Sequence, residues 1–500
     1  MFSLTRLTPL LAISCATLIG LWTSPDALAR SESSRPNILW IISDDLSPDL
    51  GCYGEQLEAV ATPHIDLMAK DAVRFTQVFG TASVCSPNRS AFNTGMYQTS
   101  IGAHHHRTLT KRPLPRGVVT IPELFRRAGY FVSNGRPEGT AESAARPLTL
   151  KGKLDWNFEV EGEPFDGVDW TQRADGQPFF AQINIDEAHR LWTRDMSRPV
   201  DPSKVNLPPY YPDHPIVRVD WSRYLEEVQV FDRKVGAILA RLEREGLAEN
   251  TIVFVFGDNG RSFSRDKGYL YDGGLRVPLL IRWPDRRAAG TVDDRLLSMI
   301  DFGPTSLEAA GISLPSYLQG QSFLADDAPG RDRVFAAKDR TGIVTDRLRS
   351  VRTRDMKYIR NYTDGIPYLP LNRYTMLVEP TLAVMQTHEA RTKSNDWVSK
   401  YMGSKRPAEE LYDLTEDPYE LHNLAMDPAY EGTLSNFQSE LRTWIKDTQD
   451  QGEQAEDPTN IETYGKWLEG YLGKIRRQMG VDDLSGEAMY TYWLNKYDLK

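Results

Sequence analysis

The sequence predicts an α/β fold built on a large, mostly parallel sheet with helices on both of its faces. Three observations carry that prediction. Apolar runs of strand length recur at Asn37–Ser43 (NILWIIS), Phe179–Ile185, Thr251–Gly257 (TIVFVFG) and Val277–Trp283. They show little alternation, the pattern of strands buried on both sides. Segments of helical period lie between them. Acidic and amide residues follow two of the runs directly, Asp44-Asp45 after the first and Asp258-Asn259-Gly260 after the third.

Thr62-Pro63 reads as an N-cap followed by proline at the first helical position, with Ile65, Met68, Ala69, Ala72 and Val73 at helical spacing. Thr120-Ile121-Pro122-Glu123 has capping-box spacing, and Gly129 closes that short helix. A longer helix from Trp221 carries Leu225, Val228, Val235, Ile238, Leu239 and Leu242 before Gly246. Strands are expected after both helices. The stretches 135–150 and 192–220 lack helical period and read as rim loops, the second stiffened by prolines 199, 202, 208, 209, 212 and 215. Near Ala328-Pro329-Gly330 the pattern changes to short alternating runs such as Leu348 to Tyr362. A division into a catalytic domain at 33–328 and a C-terminal subdomain at 329–500 is therefore expected.

Residues 1–29 stand apart. Arg6 precedes an apolar stretch from Leu7 to Trp22, and Ala27-Leu28-Ala29 offers a small-residue cleavage site, so a cleaved export signal and a periplasmic or secreted location are expected. The stretch is shorter than the ~20 apolar residues a spanning helix needs, and Ala12 occupies the place where a lipidation motif around Cys15 prefers leucine. Removal of that peptide leaves Cys52 and Cys85, too few for a disulfide framework. The formal net charge of -10 argues against nucleic acid as a partner and requires any anionic substrate to meet a local basic pocket.

In open α/β sheets, ligands gather beyond the carboxyl ends of the strands. Asp44, Asp45, Asp258, Asn259 and His189 all lie just past such ends, which places them together. The carboxylates and amide are hard oxygen ligands, suited to calcium or magnesium rather than to a thiophilic metal, with the less demanding calcium shell favoured. Cys85-Ser86-Pro87-Asn88-Arg89 reads as a helix start, Ser86 as N-cap, Pro87 at the first helical position and Gly95 as C-cap. Residue 85 then sits at the positive end of a helix, and Arg89 one turn on points back toward it.

This C-x-P-x-R pentapeptide, with ATPHIDLMA (61–69), CSPNRSAFNTGMY (85–97), DNGRSFSRDKGYLYDGGLRVPLLIRWP (258–284) and EELYDLTEDPYELHNLA (409–425), resembles the sulfatases of the alkaline phosphatase superfamily. The likeness runs through most of residues 36–426, in the family's order. IGAHHHR (101–107), KLDWNF (153–158) and EAHR (187–190) place it near the heparan-N-sulfatase-like group and its bacterial polysaccharide-degrading relatives. The resemblance implies a smaller C-terminal domain with a short antiparallel sheet. It also implies that Cys85 is oxidised after translation to formylglycine (3-oxoalanine) by a formylglycine-generating or anaerobic sulfatase-maturating enzyme. A divalent cation, calcium before magnesium, would then lie beside residue 85 among Asp44, Asp45, Asp258 and Asn259. Lys153 and Lys267 match positions that contact the sulfate, and His189 a position near the leaving oxygen, where an imidazolium serves as general acid.

The chemistry so implied is hydrolysis of a sulfate ester on a carbohydrate. A hydrated aldehyde offers one hydroxyl to attack sulfur and a second whose deprotonation expels sulfate. One departure stands out. Many sulfatases have K-x-H where this chain has Lys153-Leu154-Asp155, so Asp155 acts as a base, binds a substrate hydroxyl or orients Lys153. His104-His105-His106 opens a basic stretch with Arg107, Lys111, Arg112 and Arg116, in which one histidine, His105 or His106 foremost, is a candidate for substrate contact. Alternatives are a phosphodiester or phosphonate monoester hydrolase of the same superfamily, and a non-catalytic relative that binds sulfated glycans.

Overall fold

A computed structural model describes residues 35–325, 328–370, 372–392, 397–403 and 405–499. The expected export signal and Cys15 lie outside these residues. The large sheet has eight strands, in the spatial order Leu150–Lys151, Phe131–Arg136, Phe179–Ile185, Asn37–Ser43, Thr251–Gly257, Leu279–Arg282, Val73–Phe75 and Val292–Asp293. The four longest of these are mutually parallel. The run expected at Val277–Trp283 is shorter, and it pairs antiparallel with both its neighbours. A mostly parallel, doubly covered sheet is what the apolar runs predicted.

Alternation along Asn37–Ser43 divides the core. Leu39 and Ile41 face one layer, with Trp221, Leu225 and Val228 of the Pro215–Arg244 helix. Ile38, Trp40 and Ile42 face the other, with Phe92, Phe125 and Phe302 from three shorter helices. Trp40 is fully buried, meets Phe180, Phe256 and Phe92 edge-on at 5.0, 5.7 and 6.1 Å, and donates from Nε1 to Ser306 Oγ at 3.1 Å. Trp40→Ala should therefore lower the unfolding free energy by ~3–5 kcal/mol. Urea denaturation checks this, and an unchanged midpoint would contradict it.

Several elements differ from the sequence expectation. The helix after Thr62 stops at Met68, so Ala72 lies beyond it and Val73 opens a strand. Thr120 does cap its helix, accepting from Glu123 N at 3.3 Å, but the Glu123 carboxylate turns outward to Arg126 and Arg127. The long helix starts at Pro215 rather than Trp221, its first turn capped by His214 Nδ1, which accepts from Ile216 N at 3.1 Å. Histidine is a rare cap, and the prolines before it imitate a loop; hence the missed start. The stretch read as a loop at 135–150 holds the short helix Ala141–Ala144.

A second sheet, Val334–Thr341, Val344–Arg352, Met356–Asn361 and Glu409–Asp413, is antiparallel throughout and follows chain order. Phe437, Leu441 and Trp444 of the Glu431–Asp447 helix cluster with its Val351, Tyr358 and Leu411. The later Pro458–Met479 helix buries Tyr464, Leu468, Leu472 and Ile475 on one face. Among the described residues, no helix is long and apolar enough to cross a membrane.

Candidate active site

Register sets the site. Ser43 lies opposite Ile185 on one side and Gly257 on the other, so three parallel strands end at one level. Asp44 N donates to Ile185 O at 3.1 Å, and Asp258 N to Ser43 O at 2.9 Å, which carries the order one residue past the strands. Neighbouring side chains on a strand point to opposite faces. Asp45 breaks that alternation with a left-handed backbone, φ 57°, a conformation aspartate tolerates better than most residues. Asp44 and Asp45 can then face the same centre.

Asp44, Asp45, Cys85 and Asp258 are all buried and offer ligand atoms within 4.8 Å of one another. Cys85 Sγ lies 3.5 Å from Asp44 Oδ1 and 3.9 Å from Asp45 Oδ1. Asn259 Nδ2 donates to Asp45 Oδ1 at 2.9 Å, while its buried Oδ1 has no hydrogen-bond partner. An orphaned amide oxygen beside three buried carboxylates fits a hard divalent cation, since such an oxygen is costly to bury unpaired.

Two lysines and an arginine pair with these carboxylates. Lys153 Nζ is 2.6 Å from Asp44 Oδ2, Lys267 Nζ is 2.5 Å from Asp45 Oδ1, and Arg89 Nε is 2.7 Å from Asp258 Oδ2. Burial works against the charge of Asp44, but Lys153, His189 and Arg89 together hold it well below its ordinary value. Asp258 goes the other way, pushed up to about 6 by burial and then by the neighbouring Asp44 charge. Burial pushes the Cys85 thiol up to about 12, so the unmodified side chain is a poor nucleophile at neutral pH.

Cys85 is the first residue of the Cys85–Thr94 helix, after Val84 at the N-cap. This corrects the expected cap at Ser86. Ser86 and Pro87 already lie in the first turn, and Ser86 Oγ instead accepts from Arg107 N at 2.9 Å. Valine has no side-chain acceptor, so the positive helix end is left to whatever occupies the site. Gly95 closes the helix in the left-handed conformation, as expected. Arg89 reaches back from the next turn, and Asn184 Oδ1 accepts from its Nη1 at 2.5 Å. Asn184 escaped the sequence reading, although an amide inside the apolar run FFAQINI is the kind of signal that could have found it.

Asp44 opens into a cavity of about 540 Å³. Lys153, Lys267, His189 and His106 line it, whereas His105 faces a separate small cavity and lies 3.6 Å from Glu456. His189 Nδ1 meets the Arg190 carbonyl, which can only accept, so Nδ1 carries a proton and Nε2 is the second nitrogen. Burial and then Lys267 lower the basicity of His189. Asp155 is clamped by Arg107, with Nη2 to Oδ2 at 2.9 Å and Nε to Oδ1 at 3.1 Å, and sits 3.7 Å from Lys153 Nζ. Burial disfavours its charge, but Lys153 and Arg107 outweigh that and hold the carboxyl far below the usual range. In the sequence Arg107 reads as one base of a basic stretch; no local pattern marks its pairing with Asp155.

The site is a buried acidic centre fit for a cation, beside a helix-start cysteine, at the carboxyl edge of a mostly parallel sheet. A family model described as sulfatase matches residues 36–143 and 165–312, and one for the C-terminal region of N-sulphoglucosamine sulphohydrolase matches residues 260–366. The chain belongs to the sulfatase family and is a sulfuric ester hydrolase. It is 34% identical over 461 residues to an ulvan-active sulfatase of Formosa agariphila, covering 82% of this chain and 75% of the relative. It is 26% identical over 471 residues to the N-sulphoglucosamine sulphohydrolase of Homo sapiens, covering 83% and 91%. A solved structure in complex with its substrate D-glucosamine-2-N,6-O-disulfate superimposes with a TM-score of 0.61 at 18% identity, covering 84% of this chain and all of that one. That likeness shows the fold.

Proposed function

We propose that this enzyme removes sulfate from a sulfated carbohydrate, using a formylglycine derived from Cys85 and a calcium ion held by Asp44, Asp45, Asp258 and Asn259 beside residue 85. The observation that carries the reading is the meeting of Cys85 with three buried carboxylates and an orphaned amide oxygen, beside two lysines that line a sugar-sized cavity. The family supplies the sulfate chemistry, and relatives named for ulvan and for N-sulphoglucosamine supply the carbohydrate class. A cation held there would supply Lewis-acid chemistry, polarising a sulfate oxygen and easing deprotonation of a hydrated aldehyde at residue 85.

The rest falls to side chains of this chain. Lys153 and Lys267, which line the cavity beside Asp44 and Asp45, neutralise sulfate oxygens. Arg89 holds Asp258 and faces the modified residue. His189 presents Nε2 to the leaving oxygen, and the arriving sulfate anion offsets the Lys267 charge that lowers its basicity. His106 contacts the sugar from the cavity wall, while His105 takes no part. Residues 1–29 are read as a cleaved export signal, 33–328 as the catalytic domain and 329–500 as the C-terminal subdomain. A formylglycine-generating or anaerobic maturating enzyme is the partner that modifies Cys85.

Of the three roles open to Asp155, positioning fits best. A carboxylate paired with Arg107 and Lys153 is a weak base, but it can aim both cations. Asp155→Asn should raise KM for a sulfated sugar roughly tenfold and leave the shape of the kcat–pH profile intact. Loss of an acidic limb from that profile would restore the base role. The reading as a whole is tested by sulfate release from defined sulfated oligosaccharides, ulvan fragments and N- and O-sulfated glucosamines included, with a phosphonate monoester in parallel. Release of sulfate from a glycan is expected; preference for the phosphonate would overturn it.

A further inference from the structure

The final stretch of the chain has no role in the chemistry described above, yet it forms one wall of the cavity. Tyr464, Trp467 and Tyr471 of the Pro458–Met479 helix all line it. Spacings of three and four residues put them on one helix face. Tyr464 is buried and meets His106 edge-on, with ring centroids 6.3 Å apart. The Trp467 centroid lies 5.5 Å from that of Tyr464 and 5.6 Å from that of Tyr471, whose ring is parallel to it within 2°. Trp467 and Tyr471 remain 46% and 40% exposed, while Leu468, Leu472 and Ile475 of the same helix are buried.

The helix is thus anchored by its aliphatic side and presents a mutually stacked, half-exposed aromatic pair at the cavity wall, with an outer ring face left open. From Tyr464 to Tyr471 the helix advances ~10 Å along the cavity wall. A lone exposed aromatic would mean little, since single surface hydrophobics are common. Two parallel rings, continuous with a buried tyrosine beside His106 and with a cationic pocket, differ from that background. Flat aromatic faces accept the C–H face of a pyranose while leaving its hydroxyls in water, and mixed apolar and polar walls are typical of ligand pockets.

We propose that Trp467 and Tyr471 form a stacking subsite for the sugar that neighbours the sulfated residue, so that the enzyme reads at least two rings of a glycan. This rests on the reading of the cavity as a carbohydrate sulfatase site. Wild-type enzyme should prefer a sulfated tetrasaccharide over the corresponding sulfated monosaccharide. In Trp467→Ala and Tyr471→Ala the ratio of kcat/KM for the two should fall about tenfold, with Trp467→Phe recovering most of the loss.

A second measurement separates this subsite from the catalytic reading. In Cys85→Ala protein, calorimetric binding of ulvan-derived and heparan-derived tetrasaccharides should show affinity for at least one, and Trp467→Ala should weaken it about tenfold. Failure of the wild type to release sulfate from a tetrasaccharide that still binds through Trp467 would sink the catalytic reading and leave the subsite standing. An unchanged kcat/KM ratio, or binding indifferent to Trp467, would overturn the subsite itself.

Discussion

Cys85→Ala is expected to leave a folded protein without measurable sulfatase turnover. The side chain is fully buried at the first position of its helix, and alanine removes one sulfur atom while keeping a good helix former. Stability should change by no more than ~1–2 kcal/mol. Activity should behave differently, because in the proposed mechanism a formylglycine derived from Cys85 would supply the attacking group, and a methyl group cannot replace it. Mass spectrometry of active wild-type protein should find the Cys85 peptide as the aldehyde or its hydrate. Full activity from protein whose Cys85 is an intact thiol would defeat the mechanism, the more so as burial keeps that thiol protonated at neutral pH, with a pKa of about 12.

Removal of divalent cations should be nearly as severe. Chelation is expected to abolish turnover, calcium to restore it, and magnesium to restore less. The cation should also stabilise the fold, by ~2.7 kcal/mol when present at a hundred times its dissociation constant. The pH dependence follows from Asp258. Its carboxyl is held above the ordinary value, at about 6, so the cation-free protein binds the extra proton in the folded state. Stability of the cation-free protein then falls as pH rises from the ordinary carboxylate range through about 6, and calcium affinity falls as pH drops through the same window. Calorimetric calcium titrations at pH 5 and pH 7.5 check the second statement. Asp258→Asn should lose cation and turnover together, whereas Asp258→Ala also leaves Arg89 buried without its 2.7 Å partner and should cost a further ~3–5 kcal/mol. Retained activity in cation-free protein would remove this centre from the mechanism.

Much of the centre's placement is legible in the sequence. Asp44, Asp45, Asp258 and Asn259 each follow an apolar run, and parallel strands that end together bring such residues to one edge. Lys153, Lys267 and His189 were recognised through flanking words shared with a family, and the structure brings all three to the same cavity. His106 joins them there and His105 does not, a difference of one residue that no composition rule resolves. Local errors had local causes: Pro215 and a histidine cap concealed six residues of helix, and Ser86-Pro87 imitated a cap whose place belongs to Val84.

By itself, the sequence determined the α/β class, the strand ends that carry the carboxylates, and the helix that presents Cys85, because each is written in periodicity or in motifs within a few residues. Only the tertiary structure decided that Arg107 clamps Asp155 across 48 positions, that Asn184 holds Arg89 across 95, and that Tyr464, Trp467 and Tyr471 wall the same cavity as Asp44. Those meetings depend on sheet register and on where a distant helix docks. Both are settled by burial of apolar faces summed over the whole core rather than by any signal near the residues that meet.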